Sequence, residues 1–389
     1  MSTSKTLGKV IFFSVILFSF AFSAHAAGTT TRYFVKSQSG ILKKTLGVRH
    51  SFENGFSTDL TGFQVRIAKI MGADIASVKT LQILPATAIP QKPTVPNDQI
   101  SWGVAAMYRD SGMTQTSGGA DVNVAILDTG VQKDHPDLQE RITGCKDFTT
   151  SQTAIAEQCD DQNGHGTHVA GIIAADGGTS GRGIYGIAPM AHIMGYKVCA
   201  DDGSCYADDV AMAIRVATDE QAQIITMSFG TDSDIQLVHD AINYAESKGV
   251  LMVAAAGNDG PFFDSIDYPA AYPEVIAVGA LDKNMNVPDW SSRGTNDATG
   301  PNSIDEGDIE FAAPGVNIVS TWNNGGYETL SGTSMAAPFV AGLVARYFDV
   351  MSDQHPTTDD IRSELHSSAL RSNLASDVDA IGYGMPRVK

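Results

Sequence analysis

Basic residues are scarce in this chain. Its 389 residues hold 26 Lys and Arg against 44 Asp and Glu, a formal net charge of −18. Nucleic-acid binding needs clustered Lys and Arg to meet phosphates, so nucleic acid is excluded as a partner. Proline is also sparse, at 15 residues, which argues against a collagen-like or Pro-rich disordered chain despite 38 glycines. Beyond residue 22 no run is long or apolar enough to cross a bilayer, which takes about 20 residues. Cysteine is limited to Cys145, Cys159, Cys199 and Cys205. What is plentiful is apolar material: 43% of the chain is hydrophobic, enough for one large core and a smaller unit.

The N-terminus carries Lys5 and Lys9, then the apolar run from Val10 to Phe22, then Ala24-His25-Ala26. A basic start, a short apolar stretch and an A-x-A end predict a secretory signal over residues 1–26, hence a secreted, extracellular protein with no membrane anchor after removal. An even cysteine count in an exported chain predicts disulfides. Of three possible pairings, Cys145–Cys159 with Cys199–Cys205 closes two short loops and is preferred. A zinc site is the rival reading, with no C-x-x-C spacing or nearby paired His in its favour.

The acidity is uneven. Residues 27–96 hold nine basic and three acidic residues, and residues 97–389 hold 15 basic and 41 acidic. Two parts of opposite sign attract each other. In the first, Arg32–Ser37 and Ser77–Pro85 read as strands and Phe56–Gly72 as a helix interrupted by Gly62. Pro85, Pro90, Pro93 and Pro96 then predict an extended linker, open to cleavage. From Ile100 onward, apolar strands at Val122–Gly130, His192–Val198, Gln223–Gly230, Val250–Asn258 and Val275–Leu281 alternate with helices. Those helices start near His165 and run over Ala207–Glu220, Asp234–Gly249 and Ser334–Met351. Such alternation predicts an α/β fold with a parallel sheet covered on both faces, and a site at the carboxyl ends of its strands.

Three segments stand at strand ends or helix starts: Asp128-Thr129-Gly130, Asn163-Gly164-His165-Gly166-Thr167-His168, and Ser331-Gly332-Thr333-Ser334-Met335-Ala336. They supply a carboxylate, an imidazole and a hydroxyl. A serine hydroxyl needs a base to become a nucleophile, histidine has the pKa to be that base, and a carboxylate fixes the imidazole tautomer. Each segment alone is weak. The DTG sequence also occurs in aspartic proteases, but its only companion, Asp110-Ser111-Gly112, lies 18 residues upstream, too near for a second lobe. The HGTH sequence lacks the Glu of a zinc protease motif, and GTS alone is most often a helix cap. A G-x-S-x-G esterase has a different chain order and a different serine context. A catalytically silent relative is disfavoured because every position of the set is present.

Together and in this order, the three segments resemble those of secreted subtilisin-like serine proteases, the subtilase family. The resemblance implies a three-layer α/β fold with a mostly parallel central sheet, preceded by a small α+β propeptide. It implies a propeptide over 27–96 and a peptidase over 97–389. It makes Asp128 the orienting acid, His165 the base, Ser334 the nucleophile and Asn258 the oxyanion-hole side chain, leaving His168 as a packed helix residue. Ser228, Phe229 and Gly230 would pair with the substrate backbone, and Ala255, Ala256 and Gly257 would wall the primary specificity pocket. Asp267 falls at its floor and Asp259 at its rim, so a basic residue before the scissile bond is expected.

The same resemblance implies structural calcium: a strong site from Asp137, Asp98 or Gln99, and the loop Asp176 to Ile184, and a weaker one from carbonyls of Ala270, Tyr272 and Val275. The acids Asp201, Asp202, Asp208 and Asp209 could bind a further ion but read first as a solvated face, and the group Asp305, Glu306 and Asp308 reads as another. The expected protein is a monomer that cuts protein and peptide substrates, with its own propeptide as inhibitor, removed by self-cleavage somewhere from Thr87 to Asp98.

Overall fold

The computed structural model describes residues 29–84, 87–88, 98–150, 154–295, 305–371 and 378–389. The expected signal at 1–26 and most of the expected proline linker lie outside these residues. The first unit has strands β1 (Thr31–Val35), β2 (Ser51–Phe52), β3 (Gly55–Leu60) and β4 (Ile75–Ser77), with helices α1 (Gly40–Leu46) and α2 (Gly62–Ile70). Its antiparallel sheet runs β2-β3-β1-β4. Val35, Leu42, Leu46, Phe56, Leu60 and Ala68 form its own core.

One expectation fails here. Phe56–Gly72 is not a single helix, because Phe56–Leu60 pairs with β1 as β3. The switch comes at Thr61, whose hydroxyl accepts from the Gln64 N–H while the Gln64 side chain accepts from the Thr61 N–H. That reciprocal cap, one residue before Gly62, starts α2 at Gly62 itself. Ser77–Pro85 is likewise divided. Strand β5 (Thr80–Ile83) leaves the first unit and joins the second, and β6 (Thr87–Ala88) follows it.

The second unit is built on eight strands. They are β7 (Asn123–Asp128), β8 (Ile142–Asp147), β9 (Ile155–Ala156), β10 (His192–Lys197), β12 (Ile224–Met227), β14 (Leu251–Ala255), β15 (Val275–Leu281) and β16 (Phe311–Pro314). Between them lie the short strands β11 (Ser204–Tyr206) and β13 (Phe229–Gly230), and after them β17 (Ile318–Thr321) and β18 (Tyr327–Ser331). The large sheet runs β16-β15-β14-β12-β7-β10-β8-β9, parallel throughout except for the β8–β9 pair. Helices α3 (Trp102–Tyr108), α4 (His165–Ala174), α5 (Ala207–Asp219), α6 (Gln236–Ser247), α7 (Thr333–Val350) and α8 (Thr358–Ser368) cover it.

The continuous apolar runs of β12, β14 and β15 are explained by this arrangement, since every residue of these strands is buried. One core layer gathers Val124, Ile126, Val253 and Val278 against α4 and α7. The opposite layer gathers Leu127, Ile225 and Met252 against α5 and α6. The preferred disulfides are present: Cys145–Cys159, with Cα atoms 5.3 Å apart, and Cys199–Cys205, at 4.1 Å.

Helix α7 is the centre of the first layer, and Phe339 on it is fully buried against Gly103 of α3. Truncating such a ring loses transfer energy and leaves a cavity, at about 3–5 kcal/mol. Phe339→Ala is therefore expected to lower the thermal midpoint by several degrees or more, measured by calorimetry on an otherwise identical chain.

Candidate active site

Strand β7 ends at Asp128, and the first turn of α4 sits directly on that end. The approach is close: a Cβ on Gly166 would lie 2.1 Å from the Gly130 carbonyl oxygen and 3.0 Å from Asp128 Cβ. Only glycine fits there. Thr129 ties the two elements, its Oγ1 accepting from the Gly166 N–H at 3.0 Å. The imidazole of His165 then meets the Asp128 carboxylate, Nδ1 lying 2.8 and 3.0 Å from its two oxygens. Both side chains are buried. With Nδ1 as the donor, Nε2 is left as the basic nitrogen, and it has no hydrogen-bond partner.

Helix α4 begins at Gly164, which has no side chain to cap it. Asp161 does so instead, accepting from the Gly164 and Thr167 N–H groups at 2.8 and 2.9 Å. Burial pushes the His165 pKa down, but the charge and hydrogen bond of Asp128, with the charge of Asp161, carry it above its ordinary 6.5. Neighbouring His168 behaves oppositely. Burial and the proximity of His165 push it down to about 3, and its Nε2 serves the carbonyls of Ile318 and Glu328 at 3.1 and 3.2 Å. It is a packed helix histidine, as the sequence reading holds.

Ser334 is the second residue of α7, so its N–H is among those with no partner inside the helix. Its hydroxyl donates to the Ser228 carbonyl at 3.3 Å rather than to His165. Pro338 sits four residues on and has no N–H to offer the Ser334 carbonyl. The Ser228 hydroxyl replaces it, donating to that carbonyl at 3.1 Å. Asn258, at the end of β14, accepts through Oδ1 from both the N–H and the hydroxyl of Thr333, each at 3.0 Å. With Oδ1 on the first residue of α7, the Asn258 side chain is anchored at the start of the helix that carries Ser334.

Phe229 and Gly230, expected to pair with substrate, lie against another strand of this chain. Phe229 and Gly230 form β13, which pairs antiparallel with β5 of this same chain: Phe229 opposite Ile83 and Gly230 opposite Gln82. On the other side β5 pairs with β11. The segment thus forms the middle strand of a three-stranded sheet, and β6 lies against Leu330 and Ser331 of β18, just before Ser334.

Ala255, Ala256 and Gly257 are buried. A Cβ on Gly230 or on Gly257 would meet the Asp267 carboxylate at 2.6 or 2.9 Å, so Asp267 lies between these two walls. It is 3% exposed, while Asp259 is exposed. The sequence reading missed a third acid, Asp232. Thr231 bridges Tyr268, which brings Asp232 next to Asp267, and acidic oxygens of Asp232, Asp259 and Asp267 lie within 4.8 Å of one another. Burial, then the charges of Asp259 and Asp232, then a hydrogen bond with Asp232 push the Asp267 carboxyl up to about 7.

The chain matches the Subtilase family model over residues 119–384. The chain belongs to the subtilase family. A subtilisin from Bacillus sp. strain TA39 is 44% identical over 88% of this chain and 84% of its own length. The major intracellular serine protease of Bacillus subtilis strain 168 is 38% identical over 67% of this chain and 78% of its own. Among solved structures, Sphericase superposes with a TM-score of 0.72 at 45% identity, over 75% of this chain and 99% of its own. This subtilase is a serine endopeptidase with the fold of that family. Among the described residues, no helix is long and apolar enough to cross a membrane.

Subtilases commonly bind structural calcium, which takes hard oxygen donors. Asp137 is 1% exposed, and its Oδ2 accepts from the Ile184 N–H and the Tyr327 hydroxyl, both at 2.8 Å. Its Oδ1 faces the bare Cα atoms of Gly178 and Gly183. Gln99 directs its side-chain nitrogen at the carbonyls of Gly181 and Gly183, at 3.1 and 2.8 Å. These are hard oxygen donors around a small polar space, and an amide flip would add the Gln99 oxygen, so the group fits. Two members of the expected set are committed elsewhere. The Asp176 carboxylate is held by Arg141 at 3.1 Å, and the Ile184 carbonyl accepts from the Gly177 N–H. Asp98 is exposed beside Gln99. In the weaker set of Ala270, Tyr272 and Val275, the Tyr272 carbonyl accepts from the Val275 N–H.

A side chain at position 166 would prise α4 from β7. Gly166→Ala is expected to reduce peptidase activity at least 100-fold. The downfield proton signal of the His165–Asp128 hydrogen bond should be lost or strongly shifted in the NMR spectrum. An alanine variant that keeps both would show that this approach is not what holds the pair.

Proposed function

We propose that this subtilase is a secreted endopeptidase using Asp128, His165 and Ser334 as a catalytic triad, and that it is made as a precursor inhibited by residues 27–96. The observation that carries the reading is the buried Asp128–His165 pair with an unpartnered Nε2, its histidine on a helix that packs against α7, where Ser334 stands at the start. In the proposed reaction Ser334 turns from the Ser228 carbonyl to His165 Nε2, a rotation about one side-chain bond. His165 takes the hydroxyl proton as Oγ attacks the substrate carbonyl, and the proton then goes to the leaving amine. Asp128 stabilises the imidazolium without taking that proton. The developing oxyanion would receive the Ser334 N–H and the Asn258 side-chain amide. A side-chain donor of this kind is worth about 100- to 1,000-fold in rate. Water hydrolyses the acyl-enzyme by the same steps in reverse.

Calcium would be held by Asp137, Gln99 and carbonyls of the 176–184 loop. There it would tie the start of the peptidase unit to the sheet, a structural role with no part in the chemistry.

The precursor reading rests on β5 and β6, which fill the strand positions that an extended substrate would take on either side of Ser334. Self-cleavage is then expected between Ile83 and Ala88, at or upstream of the Thr87 end of the stretch favoured by sequence. Full-length Ser334→Ala, made in a protease-free host, should stay uncut by mass spectrometry while the parent chain loses its N-terminal segment. Cleavage of the variant at the same bond would overturn self-processing.

Asp267 between Gly230 and Gly257 gives the primary pocket an acidic floor, which favours Lys or Arg before the scissile bond. The carboxyl titrates near pH 7, neutral below and charged above. The ratio of kcat/KM for Lys over Leu peptides should therefore rise between pH 6 and pH 8, and Asp267→Asn should flatten that rise. An unchanged ratio in the variant would sink the assignment.

A further inference from the structure

The acids Asp208 and Asp209 depart from the solvated face expected of them. They are 0% and 1% exposed, in the first turn of α5. Their covering comes from the first unit. Arg32 on β1 reaches both, its Nη1 lying 3.2 Å from Asp208 and 2.6 Å from Asp209. Arg49 Nε meets Asp209 at 3.3 Å, and His50 Nε2 meets the same carboxylate at 2.7 Å. Arg32, Arg49 and His50 are themselves 8%, 5% and 3% exposed.

We propose that Asp208 and Asp209 form a charge receptor for the N-terminal unit of this chain, gripped by Arg32, Arg49 and His50, and that this contact sets how tightly the unit stays docked once cut. The proposal rests on the precursor reading and assigns its regulation to particular residues outside the cleft.

Three features make the cluster more than two oppositely charged surfaces. Asp59 of the N-terminal unit stands behind both guanidiniums, 3.6 Å from Arg32 and 3.2 Å from Arg49, so they are positioned before docking. The Arg32 guanidinium carbon also lies over the Tyr206 ring, 3.7 Å from its centroid, and Arg49 donates to the Thr149 carbonyl. Finally, the receptor follows directly on β11, the strand that pairs with β5 in the cleft, and the Ala207 N–H bonds the Lys79 carbonyl at 3.0 Å. The grip and the blocking strand therefore share one frame.

Because the charges are buried, removing one partner leaves the other desolvated and unpaired. This is a far larger effect than losing an exposed ion pair. When the unit departs intact, both acids regain water at a helix N-terminus, where negative charge is favoured. The receptor is thus costly to leave half-filled but tolerable when fully open.

The test uses the full chain, self-cleaved, and measures how tightly the N-terminal fragment is retained on the peptidase. Hydrolysis of a small chromogenic peptide is followed during dilution. Asp209→Asn and, on the other side, Arg49→Met should each weaken retention at least about 30-fold and shorten the lag before activity. The fragment-free enzyme carrying Asp209→Asn should keep the kcat/KM of its parent. The Arg49 variant leaves the peptidase sequence intact, so a misfolded peptidase cannot imitate the result. Retention within twofold of the parent in both variants would overturn the receptor. A parent fragment that does not inhibit at all would instead overturn the precursor reading.

Discussion

The contact between the end of β7 and the first turn of α4 governs everything at the site. A parallel sheet delivers its strand ends to one edge, but that does not by itself bring a carboxylate to an imidazole. Here the two backbones come within a distance that excludes any Cβ at position 166. Thr129 and Asp161 then supply the hydrogen bonds that the close approach would otherwise leave unmade. The pairing of Asp128 with His165 is a consequence, and so is the rise in the imidazole pKa against the pull of burial. The same logic recurs at α7, where Pro338 removes a helix bond and Ser228 restores it. That exchange ties the Ser334 carbonyl to the residue just before β13.

Most of the fold was legible because buried strands in parallel sheets are apolar on both faces, and β7, β10, β12, β14 and β15 all carry that signature. Strands β8 and β16 escaped notice. ITGCKD is half exposed near the sheet edge and mixed in polarity, while FAAP is too short to show a period. The β3–α2 boundary was misread because Phe56–Leu60 satisfies both strand and helix spacing. Only the cap at Thr61 separates the two, and its Gln64 partner sits inside the supposed helix.

The site was legible to a different depth at each position. Asp128, His165, Ser334 and Asn258 stand in segments whose order is nearly unique. Asp161 and Asp232 have no such context. One caps a helix from three residues before its start, and the other reaches the pocket through a bridge between Thr231 and Tyr268. Asp208 and Asp209 were visible, but their partners lie some 160 residues or more away in sequence, and no local pattern announces them.

These positions change what the net charge of −18 means. An acidic surface is usually a uniform matter of solubility, yet here particular acids are removed from water and each is matched differently. Asp128 is matched by His165, whose pKa its charge and hydrogen bond raise. Asp267 sits beside Asp232 and Asp259, so its charge is held back until pH rises or a cation arrives. Asp208 and Asp209 are matched by arginines from another part of the chain. A carboxylate whose counter-charge is covalently local is fixed; one whose counter-charge arrives on a separable segment is a switch. The uneven distribution of charge along the sequence, basic before the linker and acidic after it, is therefore read out at a few buried residues rather than across the surface.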